Sequence, residues 1–559
     1  MDKYTAIHMF DLVDRDEALA GGHTVMGTLW AFAIKYDADG NFIKLAPRWC
    51  IMGGDMPRDK YEAYSDVCRF VVIKVIFCLR AVYRTKSGKL LVDFIIDLTN
   101  AFQNTRTDGK DSDATPLYCE QAPEFKVRDA NGKAKVCKVL VAHQGRIDAA
   151  RLCGQNLHRL MLAAGLRTLT WAPKVYLYHK GALAGSAASL SEVLEAAELE
   201  PAVEGAPPGW AIFGTHVDDH TGVSTSTPVV DYTRGAFQIV YATKCTNWTK
   251  VLGFSVEVID YSTYSTVSIS CMPVVEAAVR VHILDRGELL VNLKHPYSSS
   301  IKSIGPGVCP PAGSPELRIF EEMQSLCRSL LGLLIWVSDA YPQIKYPVNY
   351  ACAYMANPSN EVCKVAKHAL MHLYHHPTPV TWGGLGCTTL ETTSAAPPLS
   401  LSDRSYTLHQ FSDSNVDIPS VTGGVQMLAG GVLEALSSRQ HLVSPDAHTS
   451  EVVAAGTCLH RVMAIRGLLQ ELRIYQLVPT PLYIDSASTV FVAKDVGGTK
   501  RSVWVLRRTA VLTQSVGKEI DAVKVSEVDM VADGLTKSIT HTVWARHLTY
   551  THNVQASPN

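Results

Sequence analysis

Ile212-Phe213-Gly214-Thr215-His216-Val217-Asp218-Asp219-His220-Thr221-Gly222-Val223 is the stretch from which the rest of this chain can be read. β-prone residues flank two adjacent aspartates, which predicts a hairpin with carboxylates at its tip in place of the usual Asn-Gly turn. Like charges side by side repel, so Asp218 and Asp219 are stable together only when solvated or neutralised by a cation. Hard oxygen ligands of this kind suit Mg²⁺, an ion that serves phosphoryl transfer.

Upstream, Leu90-Leu91-Val92-Asp93-Phe94-Ile95-Ile96-Asp97-Leu98-Thr99-Asn100-Ala101-Phe102 is a buried-type strand closing on a carboxylate. A strand that ends in Asp more often caps a helix than binds metal. With the Asp-Asp hairpin in the same segment, Asp97 is expected to be a third ligand and to complete two cation sites. From about Trp30 to Gly253, strand-like runs (Leu29 to Ile34, Leu90 to Ile96, Val136 to Val141, Ala211 to Val217) alternate with helical stretches (Phe70 to Val82, Ala149 to Ala164), an α+β pattern. Gly185 to Pro208 reads as a surface insertion. From about Gly253 to Ser400 the pattern is mostly helical, with helices predicted over Glu316 to Ser338 and Asn360 to Tyr374. Thr392 to Ser402 resembles a linker, and the C-terminal residues beyond it alternate in an α/β manner.

The length, 559 residues, allows about three or four domains, and 47% apolar residues is ordinary for globular cores. The longest apolar runs, Phe70 to Val82 and Leu330 to Val337, are too short or are broken by Lys74 and Arg80, whereas a bilayer needs about 20 residues. The N-terminus leads into no signal core, so a soluble intracellular protein is expected. Fourteen cysteines include no C-x-x-C pair, which argues against zinc ribbons and thioredoxin-like motifs. A net charge of -1 weighs against nucleic-acid binding unless a basic groove is local.

The C-terminal segment carries a second carboxylate set. Asp413 follows strand-like Leu408 to Phe411, Glu451 opens the helical run to Leu469, Asp485 ends Pro481 to Ile484, and Asp533 lies in Val531-Ala532-Asp533-Gly534-Leu535-Thr536-Lys537. Each alone is more often a surface residue or a cap. Four at element ends, with room for a strand or helix between each pair, would converge on one sheet edge, bind two Mg²⁺ and hydrolyse a phosphodiester. A rival metal site is His368-Ala369-Leu370-Met371-His372, two imidazoles one helical turn apart with Cys363, His375 and His376 nearby. It lacks the Glu of a zinc-protease motif, and an ordinary helix is the preferred reading.

Taken in order, these motifs resemble the reverse transcriptase and ribonuclease H portion of a copia-type retrotransposon polyprotein, over nearly the whole chain. Trp30 to Gly40, Arg48 and Gly53-Gly54 are similar to the family's fingers hairpin. Tyr64-Ser65-Asp66-Val67 sits where the family has Phe-Ser-Pro-Val, and Asp97 to Phe102 is similar to its first polymerase motif. Leu117-Tyr118, Gln121 and Pro123 follow as in the family. His216-Val217-Asp218-Asp219 resembles Tyr-x-Asp-Asp, and Leu252-Gly253 the next palm strand. Asp339 to Pro358 resembles the connecting region, and Ala532 to Lys537 the closing Ala-Asp-x-Leu-Thr-Lys.

The resemblance implies an α+β right-hand polymerase of fingers, palm and thumb, with a connection and then an α/β ribonuclease-H-like domain. The boundaries would be fingers and palm over 1–257, thumb and connection over 258–400, and ribonuclease H over 401–559. It implies that Asp97, Asp218 and Asp219 hold the polymerase metals and that Asp413, Glu451, Asp485 and Asp533 hold those of the nuclease. Two Mg²⁺ are expected per site, with Mn²⁺ as an alternative. Lys35 and Arg48 would meet the incoming triphosphate. Phe102 would collide with a ribose 2′-hydroxyl. His216, Gly145 and Arg151 would line the substrate.

Several positions depart from the family. His216 replaces tyrosine and Asp66 replaces proline. Gln144-Gly145-Arg146-Ile147-Asp148-Ala149-Ala150-Arg151 stands where the family has Tyr-Gly-Leu-Lys-Gln-x-Pro-Arg, so Ile147 and Asp148 replace a Lys and a Gln that help hold the templating pair. No histidine lies between Lys518 and Asp533, and Lys500 to Trp504 replaces a usual His-Ile-Asp.

The expected activity is RNA- and DNA-templated DNA synthesis coupled to cleavage of RNA in hybrids. Its partners would be template-primer, RNA/DNA hybrid and deoxynucleoside triphosphates, with no membrane, and with a homodimer or element-encoded proteins left open. The expected location is cytoplasmic, in virus-like particles, or nuclear. Nothing resembles Gag, protease or integrase parts, so the chain is expected to be a processed product or a separate reading frame. The alternative is an inactive or domesticated scaffold that binds nucleic acid or protein.

Overall fold

The computed structural model describes residues 7–36, 42–109, 114–180, 206–384, 407–417, 419–441, 443–472, 474, 476–494 and 506–553. Most of the expected insertion at Gly185 to Pro208, the linker at Thr392 to Ser402 and the Lys500 to Trp504 stretch lie outside the described residues. The chain forms two compact units. One comprises Met1–Arg69, Val92–Ala182 and Glu198–Asn247; the other comprises Phe70–Leu91, Leu183–Ala197 and Trp248–Asn559.

The first unit is built on a six-stranded antiparallel sheet in the order Ala242–Thr246, Val92–Thr99, Asp219–Ser224, Gly209–His216, Val175–Lys180, Arg167–Thr168. Period-two alternation in Val92–Thr99 turns Phe94, Ile96 and Leu98 into a core closed by the helices Ala149–Ala163 and Thr227–Gln238, through Leu157, Met161, Val229 and Phe237. The same alternation puts Asp97 on the opposite face. A second sheet pairs Phe10–Val13, Val136–Val139, Leu117–Cys119 and Val25–Met26 over a separate core that includes Trp49, Ile51 and Met56. Thr28–Tyr36 and Phe42–Ile51 form a long two-stranded ribbon.

The second unit contains two sheets. Lys250–Val251, Phe254–Asp260, Ser265–Ser270 and Val380–Gly383 form an antiparallel sheet, which adds strands to the mostly helical stretch 253–400. The alternation Phe254-Ser-Val-Glu-Val was a strand signal, but the fourth strand returns from far along the chain, beyond the reach of local patterning. The predicted helices appear as Pro315–Val337 and Asn360–His375. Helix Phe70–Ser87, which falls within the first expected domain, belongs to this unit and packs on Ser265–Ser270 and Val380–Gly383. The two charges that interrupt its apolar run are buried and satisfied. Lys74 Nζ donates to the Asp339 carbonyl at 2.8 Å, and the Arg80 guanidinium is bidentate to Asp260 at 2.9 and 2.7 Å.

The other sheet is mixed, in the order Gly431–Arg439, Val421–Leu428, His409–Ser414, Thr480–Ile484, Ile520–Lys524, with the first three strands antiparallel and the last two joining in parallel. Helix Ala447–Glu471 packs across it. Among the described residues it is the one helix long and apolar enough to cross a membrane, yet 61% of that apolar stretch is buried inside the unit, as in a core helix.

Candidate active sites

In the first unit, Gly209–His216 and Asp219–Ser224 pair as the predicted hairpin, with His216 opposite Asp219, so Val217 and Asp218 form a two-residue tip. Val217 has φ +58°, a left-handed conformation that a β-branched side chain adopts only at a cost of about 1–3 kcal/mol. The hairpin is held from beneath. A Cβ on Gly222 would lie 2.4 Å from the Phe213 Cβ and from the Ile212 carbonyl oxygen, and buried His220 meets the Thr215 hydroxyl at 3.0 Å while stacking on Phe237. Sequence reasoning passed over Gly222, although a glycine inside a strand pattern signals close backbone approach.

Asp219 lies directly opposite Asp97 on the neighbouring strand, and the Leu98 amide donates to the Asp218 carbonyl at 3.2 Å. Three carboxylates therefore share one end of the sheet. Burial raises the Asp218 and Asp219 carboxyls, and the charge of Asp97 adds to both, while His216 opposes it at both and Arg48 at Asp218. On the far side of Asp97, Lys244 stands opposite in register.

The remaining expected substrate residues are distributed around this unit. Arg48 is an exposed residue of the ribbon, opposite Ala31; Lys35 pairs with Lys44, and its side chain lies outside the described residues. Phe102 is half-buried in the short helix Ala101–Asn104 and packs against core residues. Arg151 Nε donates to the Glu62 carbonyl at 3.1 Å. Gly145 has φ +86° and lies against Ile51, whose amide donates to the Gln144 carbonyl at 3.0 Å. In the divergent segment, Arg146 and Asp148 form a buried bidentate ion pair at 2.6 and 3.0 Å, each about 1% exposed at the side chain, and Arg146 also donates to the Thr115 carbonyl at 2.9 Å. Two of the three charges of that segment are thus spent on each other.

In the second unit, parallel pairing sets Ser412 opposite Ile484, so Asp413 and Asp485 emerge at the same end of the sheet, and Glu451 reaches them from helix Ala447–Glu471. The ligand oxygens of Asp413, Glu451 and Asp485 lie within 4.8 Å of one another, the one such group of three or more acidic, His or Cys residues among the described residues. Asp97, Asp218 and Asp219 adjoin without that convergence. Asp533 stands beside the trio in a 3₁₀ turn, with Lys537 Nζ 3.0 Å from its Oδ1.

Burial raises all four carboxyls. Asp413, with Asp533 and Glu451 adding to the effect, is held well above the usual range, and Glu451, repelled by Asp485, is pushed up to about 7. Burial pulls the Lys537 ammonium down, but the carboxylates around it outweigh that and raise it. Ser414 donates to Glu451 Oε1 from its amide at 3.1 Å and its hydroxyl at 3.0 Å, and Thr536 donates to Asp413. Lys537, Ser414 and Thr536 were missed as functional in sequence; the spacing of Asp533, Thr536 and Lys537 over one turn was the available signal. The Glu451 Oε2 is buried without a hydrogen-bond partner. An all-oxygen, mutually repelling set with an orphaned lone pair fits a hard divalent cation.

The histidine group is different. His368 donates to the His295 carbonyl at 3.0 Å, His372 to the Leu293 carbonyl at 2.8 Å, and His376 meets the Asn292 side chain at 2.8 Å. They stitch the helix Asn360–His375 and its C-terminus to the loop that carries Asn292, Leu293 and His295.

No protein-family model matches the chain. Over 545 residues, 96% of its length, it is 22% identical to the retrovirus-related Pol polyprotein from transposon RE1 of Arabidopsis thaliana. This chain is similar to a retrotransposon Pol polyprotein. The chain spans about a third of the length of that relative, 32%. Among solved structures it is similar to the prototype foamy virus protease-reverse transcriptase, with 11% identity, a TM-score of 0.20 and coverage of 94% of this chain and 53% of that one. A foamy viral protease-reverse transcriptase in complex with dsDNA matches at 12% identity and a TM-score of 0.17, covering 92% of this chain and 81% of that one.

Proposed function

We propose that the chain is a copia-type reverse transcriptase coupled to ribonuclease H, extending a primer on RNA and DNA templates and cleaving the RNA strand of RNA/DNA hybrids. The observation that carries this reading is the convergence of Asp413, Glu451 and Asp485 oxygens within 4.8 Å in a mixed sheet, with Asp533 alongside. The Asp-Asp hairpin facing Asp97 in the first unit supports the polymerase half, and relatedness to a Pol polyprotein supports the setting. Residues 1–257 would be fingers and palm, 258–400 thumb and connection, and 401–559 the ribonuclease H domain.

Two Mg²⁺ or Mn²⁺ ions per site, when bound, would activate the attacking oxygen and neutralise charge on the transferring phosphoryl group. Asp97, Asp218 and Asp219 would hold them in the polymerase site, and Asp413, Glu451, Asp485 and Asp533 in the nuclease site. Arg48 and Lys35 would neutralise triphosphate oxygens; His216, Phe102, Gly145 and Arg151 would border the primer, the incoming deoxynucleotide and the template. Ser414 and Thr536 orient carboxylates, and Lys537 offsets their repulsion in the metal-free chain. The working compartments would be a cytoplasmic particle and the nucleus.

The Arg146–Asp148 pair favours a second reading, a scaffold that keeps the hand but no longer grips a template, because Arg146 and Asp148 are consumed by each other. Extension of a labelled DNA primer on RNA with Mg²⁺ or Mn²⁺, beside cleavage of a labelled hybrid, separates the two. Synthesis by the wild type and none by Asp218→Asn/Asp219→Asn is the expected result. Hybrid binding with neither reaction would establish the scaffold.

A further inference from the structure

Helices Pro315–Val337 and Asn360–His375 meet at a group of three sulfur atoms. Cys363 Sγ lies 3.2 Å from Met323 Sδ, and Cys327, one turn on from Met323, lines the same cavity as Cys363. The group opens into a cavity of about 340 Å³ lined by Met323, Cys327, Cys363, Lys367, His282 and Arg286, among others. Cys327 is buried, whereas Cys363 is partly exposed and sits in the first turns of its helix, one turn before Lys367. A helix N-terminus and an adjacent ammonium both stabilise a thiolate.

We infer that Cys327 and Cys363 form a peroxide-responsive dithiol, with Cys363 as the attacking and Cys327 as the resolving sulfur, whose disulfide pins the two helices together. Cys363 thiolate attacks one oxygen of hydrogen peroxide, the O–O bond breaks, hydroxide leaves, and Cys363 becomes a sulfenic acid. The Cys327 thiol then attacks that sulfur, the S–O bond breaks, and water leaves as the disulfide forms. Two thiols lose two electrons, and one peroxide becomes two waters. The neighbouring Cys327 thiol and the charge of Lys367 both lower the Cys363 thiol from its ordinary value.

A second thiol pair in the chain supplies the contrast. Cys119 and Cys137 stand opposite each other on neighbouring strands, both fully buried. The facing Cys137 thiol and burial hold the Cys119 thiol well above its ordinary value. Cys327 and Cys363 line a cavity that admits an oxidant, whereas Cys119 and Cys137 are fully buried.

The test is brief exposure of the folded full chain to hydrogen peroxide, then peptide mapping without reduction. The expected result is a single Cys327–Cys363 cross-link, formed about tenfold faster than oxidation of exposed Cys309, with Cys119 and Cys137 still reduced. Cys327→Ala should leave a sulfenic acid at Cys363 that dimedone traps; Cys363→Ala should leave Cys327 unoxidised. A cross-link between any other pair, or Cys363 oxidised no faster than Cys309, overturns the inference. The wild-type map decides this even where a variant fails to fold.

Discussion

Gly53 and Gly145 meet backbone to backbone: a Cβ on Gly53 would lie 1.9 Å from the Gly145 carbonyl oxygen, and one on Gly145 would lie 2.0 Å from the Ile51 carbonyl oxygen. Gly145 also needs φ +86°. Gly145→Ala should therefore cost about 3 kcal/mol or more, from backbone displacement and left-handed strain together. Gly54, beside which a Cβ meets nothing within 4 Å, is the control; Gly54→Ala should change the urea midpoint little. Equal losses at the two positions would refute the close approach.

Asp148→Asn leaves the Arg146 guanidinium buried without its counter-charge and should cost about 3–5 kcal/mol in denaturant unfolding. Arg146→Met/Asp148→Leu, which removes both charges, should recover most of that loss. A double variant no more stable than Asp148→Asn would mean that the pair does more than satisfy itself.

Separate carboxylate sets in separate units predict separable activities. Asp218→Asn/Asp219→Asn should abolish primer extension and spare hybrid cleavage, and Asp485→Asn should do the reverse. Loss of both reactions from either change, in a chain that still melts cooperatively, would count against two independent centres.

Lys537 is a cation set against the carboxylates of the second unit, 3.0 Å from Asp533. Lys537→Met should lower the melting temperature of the metal-free chain, because four carboxylates are left to repel one another. It should also enlarge the stabilisation by added Mg²⁺, since an ion that binds only the folded state raises its stability by mass action. The same Mg²⁺-induced shift in both proteins would show that Lys537 does not offset this charge.

Burial pushes His143, His372 and His547 down to about 4, and His220 and His552 down to about 3. These rings are neutral in the fold, while unfolded histidine takes a proton near pH 6.5. The stability they contribute is full above about 6.5 and falls as pH drops towards 4 and then 3, by at most about 1.4 kcal/mol per pH unit for each ring. Melting temperatures measured from pH 7 to 4 should fall steeply below 6.5. A flat profile would place these rings in water.

Local pattern determined much of this protein. The Asp218-Asp219 hairpin, the strand carrying Asp97, the long helices Pro315–Val337 and Asn360–His375, and the order Asp413, Glu451, Asp485, Asp533 were all legible, because alternation and helical periodicity act over a few residues. Tertiary structure alone decided the partners. Nothing near Arg146 in sequence names the Thr115 carbonyl it meets, nothing near Lys74 or Arg80 names Asp339 or Asp260, and the strand that completes the sheet of Phe254–Asp260 and Ser265–Ser270 arrives from Val380–Gly383. The tight convergence of Asp413, Glu451 and Asp485, against the looser grouping of Asp97, Asp218 and Asp219, likewise depends on parallel strand register and the reach of one helix. Charge, close backbone approach and thiol contact are properties of distance, and distance between remote residues exists only once the chain has folded.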